Sequence, residues 1–152
     1  MRPLILILIV QMCSSVLTQA QSPSKAQSPS MIGRWKVEIT FPNGGNRSLR
    51  FEAQDAGKGS FLLVDPRSDH WESTKPSEAK WTQGPGNSVT FSGAIEFPLG
   101  NVGRDPGTLL FNGKFETENL IAGEVEFSPL VGDRPSKSGT FKAIRAAGKV
   151  DG

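Results

Sequence analysis

The chain has 152 residues, of which 36% are apolar and 21% are charged, as expected for one globular domain. Its 17 Lys and Arg residues are spread along the chain against 15 Asp and Glu residues, which argues against binding to nucleic acids or anionic membranes. The 17 Gly, 11 Pro and 9 Phe residues, without a long helical apolar stripe, favour an all-β protein of short strands and turns.

Residues 1–20 have the features of a secretory signal peptide. Arg2 supplies a short basic region, an apolar run too short to span a bilayer follows, and Ala20 ends a small-residue cleavage site. Cleavage there predicts an exported protein, periplasmic or extracellular, whose mature chain lacks the single cysteine, Cys13. Lipid attachment at Cys13 is disfavoured, because the bulky Met12 precedes it where lipoprotein signals take a small residue.

The next segment, residues 21–30, repeats Gln-Ser-Pro-Ser at 21–24 and 27–30. A polar, Pro-containing segment buries too little apolar surface to offset its ordering entropy, so we expect a disordered linker. The folded domain is then residues 31–146, followed by a flexible tail at 147–152.

The first strand is the clearest element of the domain. In residues 32–41, apolar and polar side chains alternate without interruption, which predicts one face in the core and one in water. The inward set is Trp35, Val37, Ile39 and Phe41, and the outward set is Arg34, Lys36, Glu38 and Thr40.

Further strands follow, separated by turn signals such as 42–46 and 84–87. Because consecutive strands have hairpin-length links, we predict an antiparallel up-and-down β-barrel of about eight strands. The predicted strands are residues 32–41, 47–54, 60–65, 79–83, 88–97, 107–116, 120–128 and 137–146.

A repeated pattern supports barrel closure. Four segments place a Gly between two flanking positions that are apolar, except that the last segment begins with Lys137. Each Gly has inward parity, so it removes a side chain where a curved sheet crowds its own interior. The four glycines are Gly93, Gly113, Gly123 and Gly139.

Inward parity also collects a largely aromatic interior. This much aromatic volume favours a solid core, although the inward glycines return some space and a hollow barrel stays an alternative. No inward strand position clearly offers the convergent polar groups of a ligand pocket. The predicted interior consists of Trp35, Val37, Ile39, Phe41, Leu49, Phe51, Phe91, Ile95, Phe97, Leu109, Phe111, Phe115, Val125, Phe127 and Phe141.

The links between strands differ in length at the two ends of the predicted barrel. Those after the second, fourth and sixth strands are short, whereas 66–77, 98–106 and 129–136 are long. In an up-and-down barrel the two sets lie at opposite ends, so one end is closed and the other carries long loops. We expect ligand binding at the long-loop end, where the candidate residues are His70, Trp71, Arg104, Asp105 and Arg134.

These candidates have simpler interpretations too. Trp71 in the first long loop is either a ligand contact or a plug folded over the barrel mouth. Arg104 and Asp105 in the second loop, with Asp133 and Arg134 in the third, form either a charged rim around the mouth or solvated turns.

Trp35 and Arg145 meet in this topology. Trp35 begins the first strand at the closed end, and the last strand finishes at the same end with Arg145 at inward parity. First and last strands pair when a barrel closes, so we expect the guanidinium over the indole as a structural closure.

The Gly33-Arg34-Trp35 opening and the Arg ending the last strand resemble the calycin pattern of lipocalins, fatty-acid-binding proteins and avidins. The inward Gly segments and the ending Ser138-Gly-Thr-Phe-Lys-Ala-Ile-Arg145 are similar to a group of small exported bacterial barrel domains, mostly of unknown function. The resemblance covers residues 31–146 and implies a calycin-like barrel. It carries over no lipocalin ligand residues, because the disulfide and the other lipocalin motifs are missing.

No segment has the spacing of a known catalytic or metal motif. His70 is the only histidine, and its loop neighbours Asp69 and Glu72 are too close in sequence to converge readily on one ion. We therefore expect no enzymatic activity, no metal and no cofactor. The glycosylation sequon at Asn46 is expected to be unused in a bacterial protein.

The favoured function is a non-enzymatic exported barrel that binds a small or apolar ligand at the long-loop end. A cavity above about 300 Å³ would support it. The alternative is an envelope-associated or secreted interaction or structural module with a filled barrel and an exposed patch around Trp71. Neither hypothesis involves nucleic acid or a membrane span, and the oligomeric state is open.

Overall fold

The computed structural model describes residues 28–64, 76–99 and 103–147. Eight antiparallel strands follow one another around a closed barrel, and β1 completes it by pairing with β8. The predicted all-β, up-and-down barrel is therefore confirmed. The predicted signal peptide at residues 1–20, residues 21–27 of the predicted linker and residues 148–152 of the predicted tail lie outside the described residues. The strands are β1 Gly33–Thr40, β2 Asn46–Ala53, β3 Lys58–Val64, β4 Ser77–Gln83, β5 Ser88–Leu99, β6 Gly103–Thr117, β7 Leu120–Pro129 and β8 Lys137–Arg145.

Strand alternation fills the barrel interior as the sequence predicts. Every residue of the predicted interior is buried, and the outward residues of β1 are exposed. Phe61, Val89 and Ile121 are further buried residues that the sequence pattern does not identify. For Phe61 the reason is plain: it lies in a Phe-Leu-Leu-Val run that is apolar on both faces, so alternation cannot say which side points inward.

Stacked phenylalanines occupy the middle of the barrel. The Phe91 ring lies between Phe51, at 4.8 Å between centroids, and Phe111, at 4.3 Å, with interplanar angles of 13° and 9°. Phe61 and Phe141 meet these rings edge-on, Phe61 at 5.8 Å from Phe111 and Phe141 at 5.5 Å from Phe91. Such pairs contribute about 0.5 to 1.5 kcal/mol each beyond burial of their area. The prediction of a solid core is confirmed at this level of the barrel.

The inward glycines make room for these rings. A Cβ on Gly93 would lie 2.8 Å from Cε2 of Phe61, and one on Gly113 would lie 2.8 Å from Cζ of Phe141. Both positions also approach the carbonyl oxygen of the neighbouring strand at 2.7 Å, so backbone as well as side chain fills the space. The inward glycines therefore permit close strand packing against an aromatic core.

The hairpin of β5 and β6 is longer than the sequence predicts. β6 begins at Gly103, four residues before the predicted start, and β5 and β6 stay paired as far as Leu99 opposite Gly103. The predicted long link at 98–106 is therefore wrong, and the link spans only residues 100–102. Strand pairing at Pro98 and Pro106 needs an explanation, because proline cannot donate a backbone hydrogen bond to a ladder. They are accommodated because, among the described residues, β5 pairs with β4 only over Val89–Gly93 and β6 pairs with β7 only from Gly107 onward.

The fourth strand, β4, helps to hold a turn of the sheet. It carries Trp81, which is half-buried, and its indole N–H donates to the carbonyl oxygens of Gln54 and Lys58, both at 2.9 Å. Those carbonyls flank the turn between β2 and β3. Trp81 therefore anchors that turn to β4.

Candidate functional site

The links between consecutive strands fall at two opposite ends of the barrel. We call the end with the links after β2, β4 and β6 the closed end, and the end with the links after β1, β3, β5 and β7 the open end. Ser28 leads into β1 at the closed end, and β8 also finishes there. Anything attached to either terminus therefore meets the barrel at the end opposite the open end.

The closed end is held by Trp35 and Arg145, as predicted. The two residues are directly opposite each other on β1 and β8, and the guanidinium carbon lies 4.2 Å from the indole centroid. Arg145 also donates to the carbonyl oxygens of Ser30 at 2.7 Å, Ile32 at 3.0 Å and Glu118 at 3.1 Å. One side chain therefore joins the first strand, the last strand and the turn before β7.

The segment before β1 packs across this end. Met31 is fully buried, its carbonyl accepts from the Trp35 indole at 2.8 Å, and its N–H donates to Oε1 of Gln83 at 3.3 Å. Nε2 of Gln83 in turn donates to the Pro29 carbonyl at 2.6 Å. Contacts with the barrel thus begin at Pro29, inside the segment that the composition predicts as linker.

A buried carboxylate marks the open end. Asp105 is 2% exposed and is the one charged residue among the described residues that is buried. It lies in β6 at the inward parity of Gly107 and Leu109, not in a loop as predicted. Arg134, in the link after β7, binds it with both terminal nitrogens: Nη1 donates to Oδ2 at 3.2 Å, and Nη2 pairs with Oδ1. Asp105 and Arg134 thus meet as a partly buried ion pair between a strand residue and a link residue, which is neither of the two arrangements considered for them in the sequence.

The Asp105–Arg134 pair also fixes the link after β7. Nη2 of Arg134 donates to the Val131 carbonyl at 3.5 Å, and the Leu130 N–H donates to the Pro106 carbonyl at 2.9 Å. The link is therefore tied to β6 by backbone and by side chain. Leu130 and Val131 are left 68% and 62% exposed.

Arg47 is a second inward cation at the open end, and the sequence analysis does not identify it. It has the parity of Leu49 and Phe51, and its guanidinium carbon lies 5.6 Å from the centroid of Phe97 across the barrel. Its Nη1 donates to the neighbouring carbonyl of Asn46 at 3.1 Å. Within residues 28–64, 76–99 and 103–147, no carboxylate forms an ion pair with it.

Strand register brings these groups together. Phe97 on β5 is directly opposite Asp105 on β6, and the Phe97 ring packs against Phe127 at 5.0 Å. Arg47 thus lies over Phe97, and Arg134 binds Asp105, the cross-strand neighbour of Phe97. We call the five residues the mouth cluster: Arg47, Phe97, Asp105, Phe127 and Arg134.

Arg104, which the sequence also predicts as a site residue, does not join this cluster. Arg104 lies on the outward face of β6, where Nη1 lies 3.3 Å from Oε2 of Glu96 and both side chains are more than half exposed. His70 and Trp71 lie outside the described residues. The parity of Arg47 was available in the sequence, since it precedes Leu49, Phe51 and Ala53 at the same spacing.

The mouth cluster combines charged and aromatic side chains. It contains two guanidiniums, one carboxylate and two phenylalanine rings, and it contains no serine, cysteine, lysine or histidine. In the described part of the chain, no three His, Cys, Asp or Glu side chains come together as metal ligands would. The same residues contain no helix long and apolar enough to cross a membrane.

No protein-family model matches the chain, and no curated protein does. Among solved structures, a redesigned β-barrel is similar to it, with 13% sequence identity and a TM-score of 0.42 over 76% of this chain and 91% of that chain. A TM-score of 0.42 is too low to support a fold assignment. The fold is therefore assigned from the strand pairing itself. The calycin resemblance, a bacterial origin and export stay predictions.

Proposed function

We propose that this protein is an exported, non-enzymatic barrel that binds a small molecule at its open end. The observation that carries the proposal is the mouth cluster, where a half-buried guanidinium without an ion-pair partner among the described residues lies over an aromatic ring. Ligand sites combine apolar walls with a few placed polar groups, and the mouth cluster has both.

The core directs the proposed ligand to the mouth rather than to the barrel interior. The Phe51, Phe91 and Phe111 stack fills the middle of the barrel, and Phe61 and Phe141 close its sides. A close-packed aromatic core yields little space without strain. The proposed site is therefore shallow, with Phe97 and Phe127 as its floor.

The mouth cluster has no hydroxyl, thiol, amine or imidazole side chain, which supports a binding role over an enzymatic one. Its carboxylate, Asp105, accepts from both terminal nitrogens of Arg134 and is thereby occupied as a base. Export is proposed from the N-terminal signal, and sequencing the mature N-terminus tests it. Cleavage should leave Gln21 first, and a lipid on Cys13 would contradict the proposal.

A second candidate function is an interaction module with a filled barrel. It is favoured by the exposed Leu130 and Val131, which the link after β7 presents at 68% and 62% exposure. Two adjacent aliphatic side chains held out by a tied link are a small apolar contact surface. This function does not need an occupied mouth.

Amide chemical shifts of ¹⁵N-labelled protein, titrated with a library of small aromatic acids, amides and amines, test the first function. Saturable shifts should concentrate on β5 and β6 around Phe97 and Asp105. Shifts confined to the closed end around Trp35, or no saturable shift from any compound, would reject a mouth site and favour the interaction module.

A further inference from the structure

The charges of the mouth cluster do not cancel. The Asp105 carboxylate is neutralised by Arg134 through two contacts. Arg47 has no such partner among the described residues, where its guanidinium donates to the carbonyl oxygen of Asn46. The cluster therefore has one positive charge in excess, located over Phe97.

This excess charge lies in an unfavourable place for a free protein. Arg47 is half-buried and faces the inner side of β2, with its guanidinium against an aromatic ring. A guanidinium carries five N–H donors in a planar fork, and burial against an apolar wall leaves most of them to solvent or to a ligand. The contact with the Phe97 ring offsets part of the cost of removing the guanidinium from water. Hydrogen bonds from a negatively charged group would offset the rest.

We infer that the mouth binds a ligand with a single negative charge on a planar group such as a carboxylate, received by Arg47. This inference rests on the proposed binding function and gives it a ligand class. The fork of Arg47 matches a carboxylate with two parallel hydrogen bonds. An apolar ring or short chain attached to that group would lie against Phe97 and Phe127, whose rings are 5.0 Å apart.

Asp105 determines how much negative charge the mouth cluster can bind. Because it holds Arg134, the second guanidinium is not available to a second anionic group. A dianion such as a phosphate monoester would therefore find one uncommitted guanidinium in the mouth cluster, that of Arg47, and its second negative charge would have no partner there. The site therefore prefers one negative charge over two.

The experiment compares three probes that differ in charge and little in shape: 4-butylbenzoate, 4-butylbenzamide and 4-butylbenzamidinium. Affinities are measured from amide shift titrations of the wild-type protein. We expect 4-butylbenzoate to bind about tenfold more tightly than the amide, and the amidinium to bind most weakly. The benzoate affinity should fall with added NaCl, while that of the amide should not.

Variants identify the receiving residue. Arg47→Gln should remove the advantage of the benzoate, whereas the matched control Arg104→Gln, an outward arginine at the same end, should keep it. If Arg47→Gln does not fold, the salt dependence of the wild type still tests whether the benzoate is held by charge. 4-Butylphenyl phosphate should bind no more tightly than the benzoate.

The outcomes separate the inference from the proposed function. Equal affinities for all three probes at the mouth would overturn the charge preference and leave a mouth site in place. Tighter binding of the phosphate would overturn the preference for one charge. No probe binding at the open end would overturn both.

Discussion

Trp35 and Arg145 are the first pair of the β1–β8 ladder that closes this barrel, and the guanidinium of the last strand lies 4.2 Å from the indole centroid of the first. The indole N–H donates to Met31, and the guanidinium donates to Ser30 and Ile32, so both side chains hold the same N-terminal segment. The two side chains that meet across the β1–β8 junction therefore also hold the segment that covers the closed end. The mouth cluster lies at the other end and shares none of these contacts.

Trp35→Ala should destabilise the barrel by about 3 to 5 kcal/mol, because the indole is fully buried at the β1–β8 junction. Urea unfolding followed by circular dichroism measures the change. Probe binding at the mouth should persist in the folded fraction. A folded variant that loses mouth binding would show that the two ends are coupled or that the site is at the closed end.

Arg145→Gln should cost about 1 to 3 kcal/mol, since three backbone carbonyls lose a charged donor and the indole loses its cation. Arg145→Lys should recover only part of this, because one ammonium cannot reach all three carbonyls while lying flat on the ring. The control is Lys142→Gln, an exposed position on β8, with a change below about 0.5 kcal/mol. Equal stability of the Lys variant and the wild type would mean that charge alone matters.

Gly93→Ala should destabilise the protein by about 1 to 3 kcal/mol through overpacking. The new methyl would lie 2.7 Å from the carbonyl oxygen of Glu78 and 2.8 Å from the Phe61 ring. Gly45→Ala is the matched control, because its nearest neighbour, Oδ1 of Asn43, is 3.5 Å away. That change should be neutral or stabilising by less than about 1 kcal/mol. Thermal unfolding of both variants distinguishes crowding from a general intolerance of Gly replacement.

Asp105 and Arg134 should be energetically coupled. Arg134→Gln leaves a buried carboxylate with weaker partners, and we expect a loss of about 2 kcal/mol, less than for a fully buried pair because the arginine is 46% exposed. In a double-mutant cycle with Asp105→Asn, the coupling energy should exceed about 1 kcal/mol. The exposed Arg104 and Glu96 pair, taken through the same cycle, should couple by less than about 0.5 kcal/mol. Additive effects at Asp105 and Arg134 would contradict their role in holding the link after β7.

Much of the fold could be predicted because its determinants are periodic. Alternation in β1 fixes which side chains face inward, and the pairing of first with last strand places Trp35 against Arg145. The inward glycines indicated a crowded, curved sheet, and Gly93 and Gly113 do lie against aromatic rings. These features depend on parity, which a sequence displays directly.

The candidate site could be predicted only in part, because it depends on where a hairpin ends. Residues 98–106 are predicted as a link, yet Pro98 and Pro106 are both accommodated where the hairpin runs past its neighbouring strands, and this extension makes Asp105 an inward strand residue. Arg47 was missed for a different reason. Its parity is inward, but an arginine beside a turn is expected to be solvated. The ring that it meets across the barrel, Phe97, is known only from the structure.

Intermolecular nuclear Overhauser effects between bound 4-butylbenzoate and the labelled protein test the mouth site most directly. Protons of the probe ring should show effects to the rings of Phe97 and Phe127, with the carboxylate placed at the Arg47 guanidinium. Effects to Phe91 in the core stack, or to Trp35 at the closed end, would contradict a shallow site at the open end.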